Sequence, residues 1–386
     1  MSILFINSQS ELISACDQFK NSPFICVDTE FHRETTYYSE LALVQIADES
    51  LTVCIDPLAL DDLSPVADLF SNTRILKVFH ACHQDLEIFY HLFGTLPSPM
   101  FDTQIAATLI GYGDQTGYAA LMKGCLNIEV DKSQTRTDWL KRPLNDKQLE
   151  YAANDVLYLA QAYPLILKQL EESDRLSWLA EDFAQLSNAD TFKVNPEKMW
   201  RKVKGHQRLH GQQLAVLQAL SSWRETLAIN KNKPRRRIIP DDALIDMCKQ
   251  KPANAKQLLA LRSLNKSRVS QQEAETLVQC IIKATALPAE QWPRLPKKHK
   301  INAEQDTLVD SLTAVLKYNA SKHNINHTSL ATRKQLEALV CGERDLEILT
   351  GWRKSHAGQM LLDFLEGRLT LNIQAGKAVI EPYSGH

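Results

Sequence analysis

The chain has 386 residues, more than one ordinary domain holds, and two or three domains suit it. Hydrophobic residues make up 44% and charged residues 23%, as in a globular protein, and no run of 18 apolar residues reads as a membrane-spanning helix. The net charge of −2 conceals two opposed blocks. Residues 1–194 carry 13 Lys and Arg against 28 Asp and Glu, a net −15, whereas residues 195–300 carry 22 against 8, a net +14. Residues 301–386 are nearly neutral, with 9 against 10. That asymmetry predicts an acidic, metal-binding unit joined to a unit that touches a polyanion.

The N-terminus, MSILFINSQSELISACDQF, has no basic n-region and no small-residue cleavage site, so it does not read as a signal peptide. None of the eight cysteines forms a C-x-x-C pair, and several sit in apolar runs. Reduced thiols in a cytoplasmic protein are the expectation, with neither a disulfide framework nor a zinc site.

Four short Val-, Ile- and Phe-rich runs come first, 24-FICVD-28, 42-ALVQIA-47, 51-LTVCID-56 and 75-ILKVFHA-81, and read as strands. The segment 84-QDLEIFYHLFG-94 has helical apolar spacing and ends on Gly94, a C-cap residue. A further helix is predicted over 102–110. The glycine-containing loop 111-GYGDQTGY-118 lacks the Lys-Ser/Thr pair of a phosphate cradle and reads as a turn. The clearest helix covers 145–163, with Asn145 and Gln148 spaced as a capping box and Pro164 predicted to end or kink it.

Beyond residue 195 the strand signal fades into short helices. Residues 286–302, with three prolines and four basic residues in ALPAEQWPRLPKKHK, have a linker's composition. They separate two helical blocks, 208–285 and 303–375. Loose parallels such as LAVLQALSSWRETLA and LVDSLTAVLKYNASK suggest a diverged duplication. On this division, removing everything after about residue 205 leaves a folded first domain.

Three clusters carry chemistry. Asp28 and Glu30, in VDTEF, stand at i and i+2 on a strand and project from one face. Two adjacent anions repel unless a cation lies between them, although an isolated D-x-E is more often a solvated strand end. Asp85 sits in the first turn of the helix after the fourth strand, where the helix dipole alone explains a carboxylate. His80 and His83 nearby lack the further ligands of a zinc site. Tyr151 and Asp155 lie one helical turn apart and border the apolar stripe of Leu149, Ala152, Val156 and Leu159, where an unpaired carboxylate is costly.

The ordered set D-x-E, Asp after a later strand, and Y-x-x-x-D on a long helix resembles the tyrosine subclass of the DEDD exonucleases. VDTEF, FHACHQDLEIF, FDTQIAA and DKSQTRTDWLKRPLNDKQLEYAANDVLYL sharpen the resemblance to the ribonuclease D family. The two helical blocks resemble its helicase-and-ribonuclease-D C-terminal (HRDC) modules. The resemblance implies an α/β, ribonuclease H-like 3′→5′ exonuclease domain over 1–195, then two small all-α domains. It implies hydrolysis of RNA 3′ ends, in tRNA precursors, with release of 5′-mononucleotides. Two Mg²⁺ or Mn²⁺ ions would be held by Asp28, Glu30, Asp85 and Asp155: Asp28 bridging, Glu30 and Asp155 completing the water-activating site, Asp85 on the second ion. Tyr151 would orient the attacking water. A family helper Asn before the second-motif Asp is replaced here by His80 and His83.

The run 231-KNKPRRRIIP-240 places Lys231, Lys233, Arg235, Arg236 and Arg237 in a loop within the basic block, and phosphate contact is its functional reading. Trp139 and Arg142 are expected to brace the helix of the last motif, and Trp200, Trp223 and Trp352 to be core. No association motif stands out, so a monomer is expected. The rival functions are a DNA exonuclease with the same catalytic residues and a non-catalytic nucleic-acid-binding protein.

Overall fold

The structure, a computed structural model, describes residues 3–264, 269–295 and 301–383. The linker expected over 286–302 lies partly outside the described residues. By compactness the chain divides into two units. One takes the described residues of 1–30, 42–191 and 298–386, and the other takes 31–41 and 192–297.

The first unit is built on a six-stranded mixed sheet in the order β1-β4-β3-β2-β5-β6. In chain order its elements are β1 (Ile3–Ile6), α1 (Gln9–Phe19), β2 (Phe24–His32), β3 (Glu40–Ala47), β4 (Thr52–Ile55), α2 (Ser64–Ser71), β5 (Leu76–Phe79), α3 (His83–Phe93), β6 (Met100–Asp102), α4 (Thr103–Leu109), α5 (Tyr118–Leu126) and α6 (Asp146–Glu172). β1 pairs parallel with β4, β5 parallel with β2 and β6, and β3 antiparallel with β4. The central strands β3 and β4 are buried almost throughout, which is why they read as continuous apolar runs rather than alternating ones.

All four predicted strands are present, with β1 and β6 added. Gly94 closes α3 with φ +71°, as a C-cap requires. Asn145 and Gln148 form the reciprocal capping box on α6, both bonds at 3.0 Å. Pro164 does not end α6, which runs on to Glu172. The apolar face continues past it through Ile166 and Leu170, both fully buried, so packing outweighs the one lost helical hydrogen bond.

The same unit includes a second helical set. Helix Ala303–Lys322, a turn at His327–Leu330, helix Arg333–Val340 and helix Gln359–Leu365 are followed by a hairpin of β7 (Leu369–Gln374) and β8 (Lys377–Pro382). Its Val309, Leu312, Val315 and Leu316 belong to the apolar cluster that holds Val156, Leu159 and Ile166 of α6. The indole of Trp178 stacks on that of Trp352 at 4.7 Å and 13°, and Arg353 pairs with Asp182 at 3.2 Å. Residues 303–365 therefore complete the core of the sheet-bearing unit, so a chain cut near residue 205 loses part of that core. The hairpin was not anticipated in the helical reading of 303–375; Ala375 and Gly376, both at positive φ, make its two-residue turn.

The other unit is helical, with helices Gln212–Asn230, Asp241–Gln250 and Gln271–Thr285 around a separate core that includes Trp200, Leu217, Leu244 and Leu277. It also contains residues 31–41, the last two residues of β2, the connection that follows and the first two residues of β3. No helix among the described residues is long and apolar enough to cross a membrane, and all eight cysteines are unpaired.

Candidate active site

β2 delivers Asp28 and Glu30, the first turn of α3 delivers Asp85, and α6 delivers Tyr151 and Asp155. The four carboxylates act on one another. Burial and the charge of Asp155 hold Asp28 well above the carboxylate range. Burial and then the charges of Asp28, Asp155 and Asp85 push Glu30 up to about 9. Burial, then the charge of Asp28, raises Asp85 well above its ordinary value, and burial lifts Asp155 to about 7. The Tyr151 phenol is pushed up to about 12, chiefly by burial, and it feels Asp155, Glu30 and Asp28.

A cavity of about 440 Å³ opens here. Asp28, Tyr151 and Asp155 line it with His80, Tyr118, Lys132 and Thr135, and Val27, Val130 and Leu159 supply apolar wall. Glu30 and Asp85 stand outside that lining. Among the described residues no three His, Cys, Asp or Glu side chains form a finished metal-ligand group.

Several positioning contacts were not visible in the sequence. Thr29, between the two β2 carboxylates, donates its hydroxyl to Asp85 and so ties α3 to β2. Asp102 caps α4 through Gln104 N at 2.8 Å and also accepts from Ala81 N at 3.1 Å and Cys82 N at 2.9 Å. Those amides belong to the turn that launches α3, where Ala81 sits at φ +61°. The FDT sequence offered the only signal, an Asp before a helix. Tyr118 begins α5, a helix not anticipated; its hydroxyl donates to Asn154 O at 2.7 Å and its ring stands edge-on to His80.

Trp139 packs with Ala152 and Ala153 of α6, its ring 6.0 Å from that of Tyr151. Arg142 acts elsewhere: it grips Asp56 through two bonds of 2.7 Å and donates to Ala42 O, fixing the TDWLKRP loop to β3 and the end of β4. Trp200 and Trp352 are buried and Trp223 packs against the helical core.

The family model of a 3′-5′ exonuclease matches residues 3–171, and the HRDC domain model matches 213–281. A ribonuclease D of Bartonella henselae is 39% identical over 375 residues, covering 96% of this chain and 92% of that protein. The chain belongs to the ribonuclease D family. A ribonuclease D of Pseudomonas paraeruginosa is 38% identical, covering 94% of this chain and 98% of that one. The crystal structure of Escherichia coli RNase D, described as an exoribonuclease involved in structured RNA processing, superposes with a TM-score of 0.81 at 30% identity over 95% of this chain and 99% of that one. Membership makes the chain a 3′→5′ exoribonuclease with an α/β, ribonuclease H-like catalytic domain and an HRDC region.

Within the HRDC region three of the five basic residues of the run are engaged by acidic side chains. Lys231 pairs with Glu273 at 2.8 Å, Arg235 with Glu225 at 2.9 Å and Arg236 with Asp241 at 3.1 Å. Arg235–Ile238 forms one helical turn. Only Lys233 and Arg237 of the five have no ion pair among the described residues. The other three meet acidic partners from neighbouring helices, a feature that the run itself does not display.

Proposed function

We propose that the chain trims RNA 3′ ends by two-metal hydrolysis, with Asp28, Glu30, Asp85 and Asp155 as the metal ligands and Tyr151 orienting the attacking water, releasing 5′-mononucleotides. The observation that carries this is the mutual electrostatics of four carboxylates from three elements. Burial raises all four first; the charge of Asp155 adds to it on Asp28, those of Asp28, Asp155 and Asp85 on Glu30, and those of Asp28 and Asp102 on Asp85. Hard carboxylate oxygens in that number suit Mg²⁺ or Mn²⁺. When bound, the ions supply positive charge against the charge that builds on the attacking and leaving oxygens.

The chain's own residues do the rest. The cavity receives the terminal nucleotide, its apolar wall against the base and its Asp28–Asp155 side against the scissile phosphate. Tyr151 keeps its proton at neutral pH, since its pKa is raised to about 12, so it acts through a hydrogen bond and not as a base. Thr29 and Asp102 keep Asp85 in register.

The substrate we assign is the 3′ end of structured RNA, with tRNA precursors foremost. The eight unpaired cysteines suit a reducing cytoplasm, and we assign a monomer. Residues 303–365 repeat the plan of the HRDC region, a helix of 20 residues, a four-residue turn of helix and a helix of 8, against 19, 4 and 10. That supports reading them as a diverged second module.

The test is release of mononucleotides from 3′-tailed RNA in Mg²⁺, with 3′-tailed DNA alongside. Asp28→Asn is expected to abolish release, and Tyr151→Phe to slow it roughly 10–1,000-fold with unchanged RNA affinity. A folded Asp28→Asn variant with normal turnover sinks the two-metal assignment, and unhindered turnover in Tyr151→Phe reduces that residue to packing.

A further inference from the structure

The segment 31–41 takes in the last two residues of β2, the connection that follows and the first two residues of β3. It belongs to the helical unit. Tyr37 is buried there, 7% exposed, and its hydroxyl donates to Glu225, a fully buried carboxylate on helix Gln212–Asn230. Arg235 completes the arrangement, paired with the same Glu225 oxygen at 2.9 Å and placed over the Tyr37 ring at 5.7 Å. The Asn232 amide oxygen accepts two consecutive backbone amides of the segment, Tyr37 N at 3.0 Å and Tyr38 N at 3.2 Å. Asn232 does so from φ +44°, a conformation that Asn tolerates better than most residues.

This is a costly way to hold a surface connection. Burying a carboxylate is unfavourable unless its partners are fixed, and a connecting loop would ordinarily leave its amides to water. The return on such a network is a single position for the segment. Its first residue, Phe31, is the chain neighbour of Glu30. Residues 31–36 are all that separates the clamped Tyr37 from Glu30, the carboxylate near the end of β2.

We infer that Asn232, Tyr37, Glu225 and Arg235 form a clamp by which the HRDC region sets the position of Glu30, so that the arginine-rich run serves catalysis by positioning rather than by contact with phosphate. These are positioning residues, since none lies in the reacting centre. The inference rests on the placement of Glu30 among the metal ligands.

The experiment uses the full chain and a short 3′-single-stranded oligoribonucleotide. Turnover is measured in Mg²⁺, and affinity in EDTA, where cleavage stops. Asn232→Gly removes the amide acceptor while allowing the positive φ, and Asn232→Asp restores an acceptor in the same conformation. Expected are a kcat lowered about tenfold or more in Asn232→Gly, the size of loss that a small misplacement at a reacting centre gives, an affinity within about twofold of wild type, and recovery in Asn232→Asp. Tyr37→Phe, which keeps the ring and loses the bond to Glu225, is expected to lower kcat in the same way. Full kcat in both Asn232→Gly and Tyr37→Phe overturns the clamp. So does a loss confined to affinity, which returns the run to phosphate binding, and so does a kcat loss that Asn232→Asp does not repair. Glu30→Gln run beside them separates the two levels. Full activity there overturns the placement of Glu30 itself, whereas an inactive Glu30→Gln beside fully active Asn232→Gly and Tyr37→Phe overturns the clamp alone.

Discussion

Burial raises Asp28, Glu30, Asp85 and Asp155 alike, and the charge of neighbouring carboxylates raises the first three further, so the folded chain favours their protonated forms. An acid whose pKa is higher in the folded chain than in the unfolded one keeps its proton longer when folded. Folding is therefore favoured at low pH and loses that advantage as pH rises through the gap, from 4.5 to about 9 for Glu30 and from 3.8 to about 7 for Asp155. In EDTA the melting temperature is expected to fall between pH 5 and 9, and a divalent cation is expected to flatten the fall. Asp155→Asn, which removes one of the charges, should melt higher than wild type in EDTA at pH 8 while losing activity. A thermal melt in which that variant is no more stable than wild type would remove the electrostatic account. The carboxylates were legible in the sequence because strand alternation and helical spacing are local rules: i, i+2 for Asp28 and Glu30, i, i+4 for Tyr151 and Asp155. Thr29 and Asp102 were not, because their partners, Asp85 and the Ala81–Cys82 amides, lie 56 and about 20 residues away.

At the scale of elements, what could be read followed from burial of one stripe or one run. β2 to β5 stood out as apolar runs, while β1 and β6, at the two edges of the sheet and only four and three residues long, did not. α6 shows the opposite case. Local rules stop a helix at proline, yet α6 passes Pro164 because Ile166 and Leu170 need the same buried face as Val156 and Leu159. The interruption still costs one hydrogen bond to the carbonyl four residues back. Pro164→Ala is expected to supply it and to raise the stability of the folded chain by about 1 kcal/mol, part of the proline penalty having been relieved by packing. Chemical denaturation reads this as a higher midpoint at an unchanged slope. A lowered midpoint would mean that the surroundings of Pro164 are shaped to the ring itself. The basic run illustrates the same limit from the side of charge. Its composition is visible, but Glu225, Asp241 and Glu273, which take up three of its five charges, come from other helices.

The whole molecule departs most from a chain-order division into catalytic head and helical tail. Residues 303–365 lie far from the catalytic motifs in sequence, yet they share one apolar cluster with α6, the helix of Tyr151 and Asp155. Fully burying a Val or Leu side chain stabilises by about 1.5–3 kcal/mol. Removing the partners of even four such residues costs roughly 6–12 kcal/mol by that measure, comparable to the whole stability of an ordinary domain. Other contacts add to this: Trp178 stacks on Trp352, Asp182 pairs with Arg353, and Arg175 donates to Leu109 O and His323 O. A chain ending at residue 297 keeps every catalytic residue, the whole sheet and the HRDC region matched over 213–281. It is nonetheless expected to lose its cooperative melt, to bind a hydrophobic dye and to be inactive. The decisive measurement is calorimetry of that truncated chain beside the full one. A sharp transition within a few degrees of the full chain's, with mononucleotide release intact, would mean that residues 303–365 only cover a core that the sheet and α6 already complete without them.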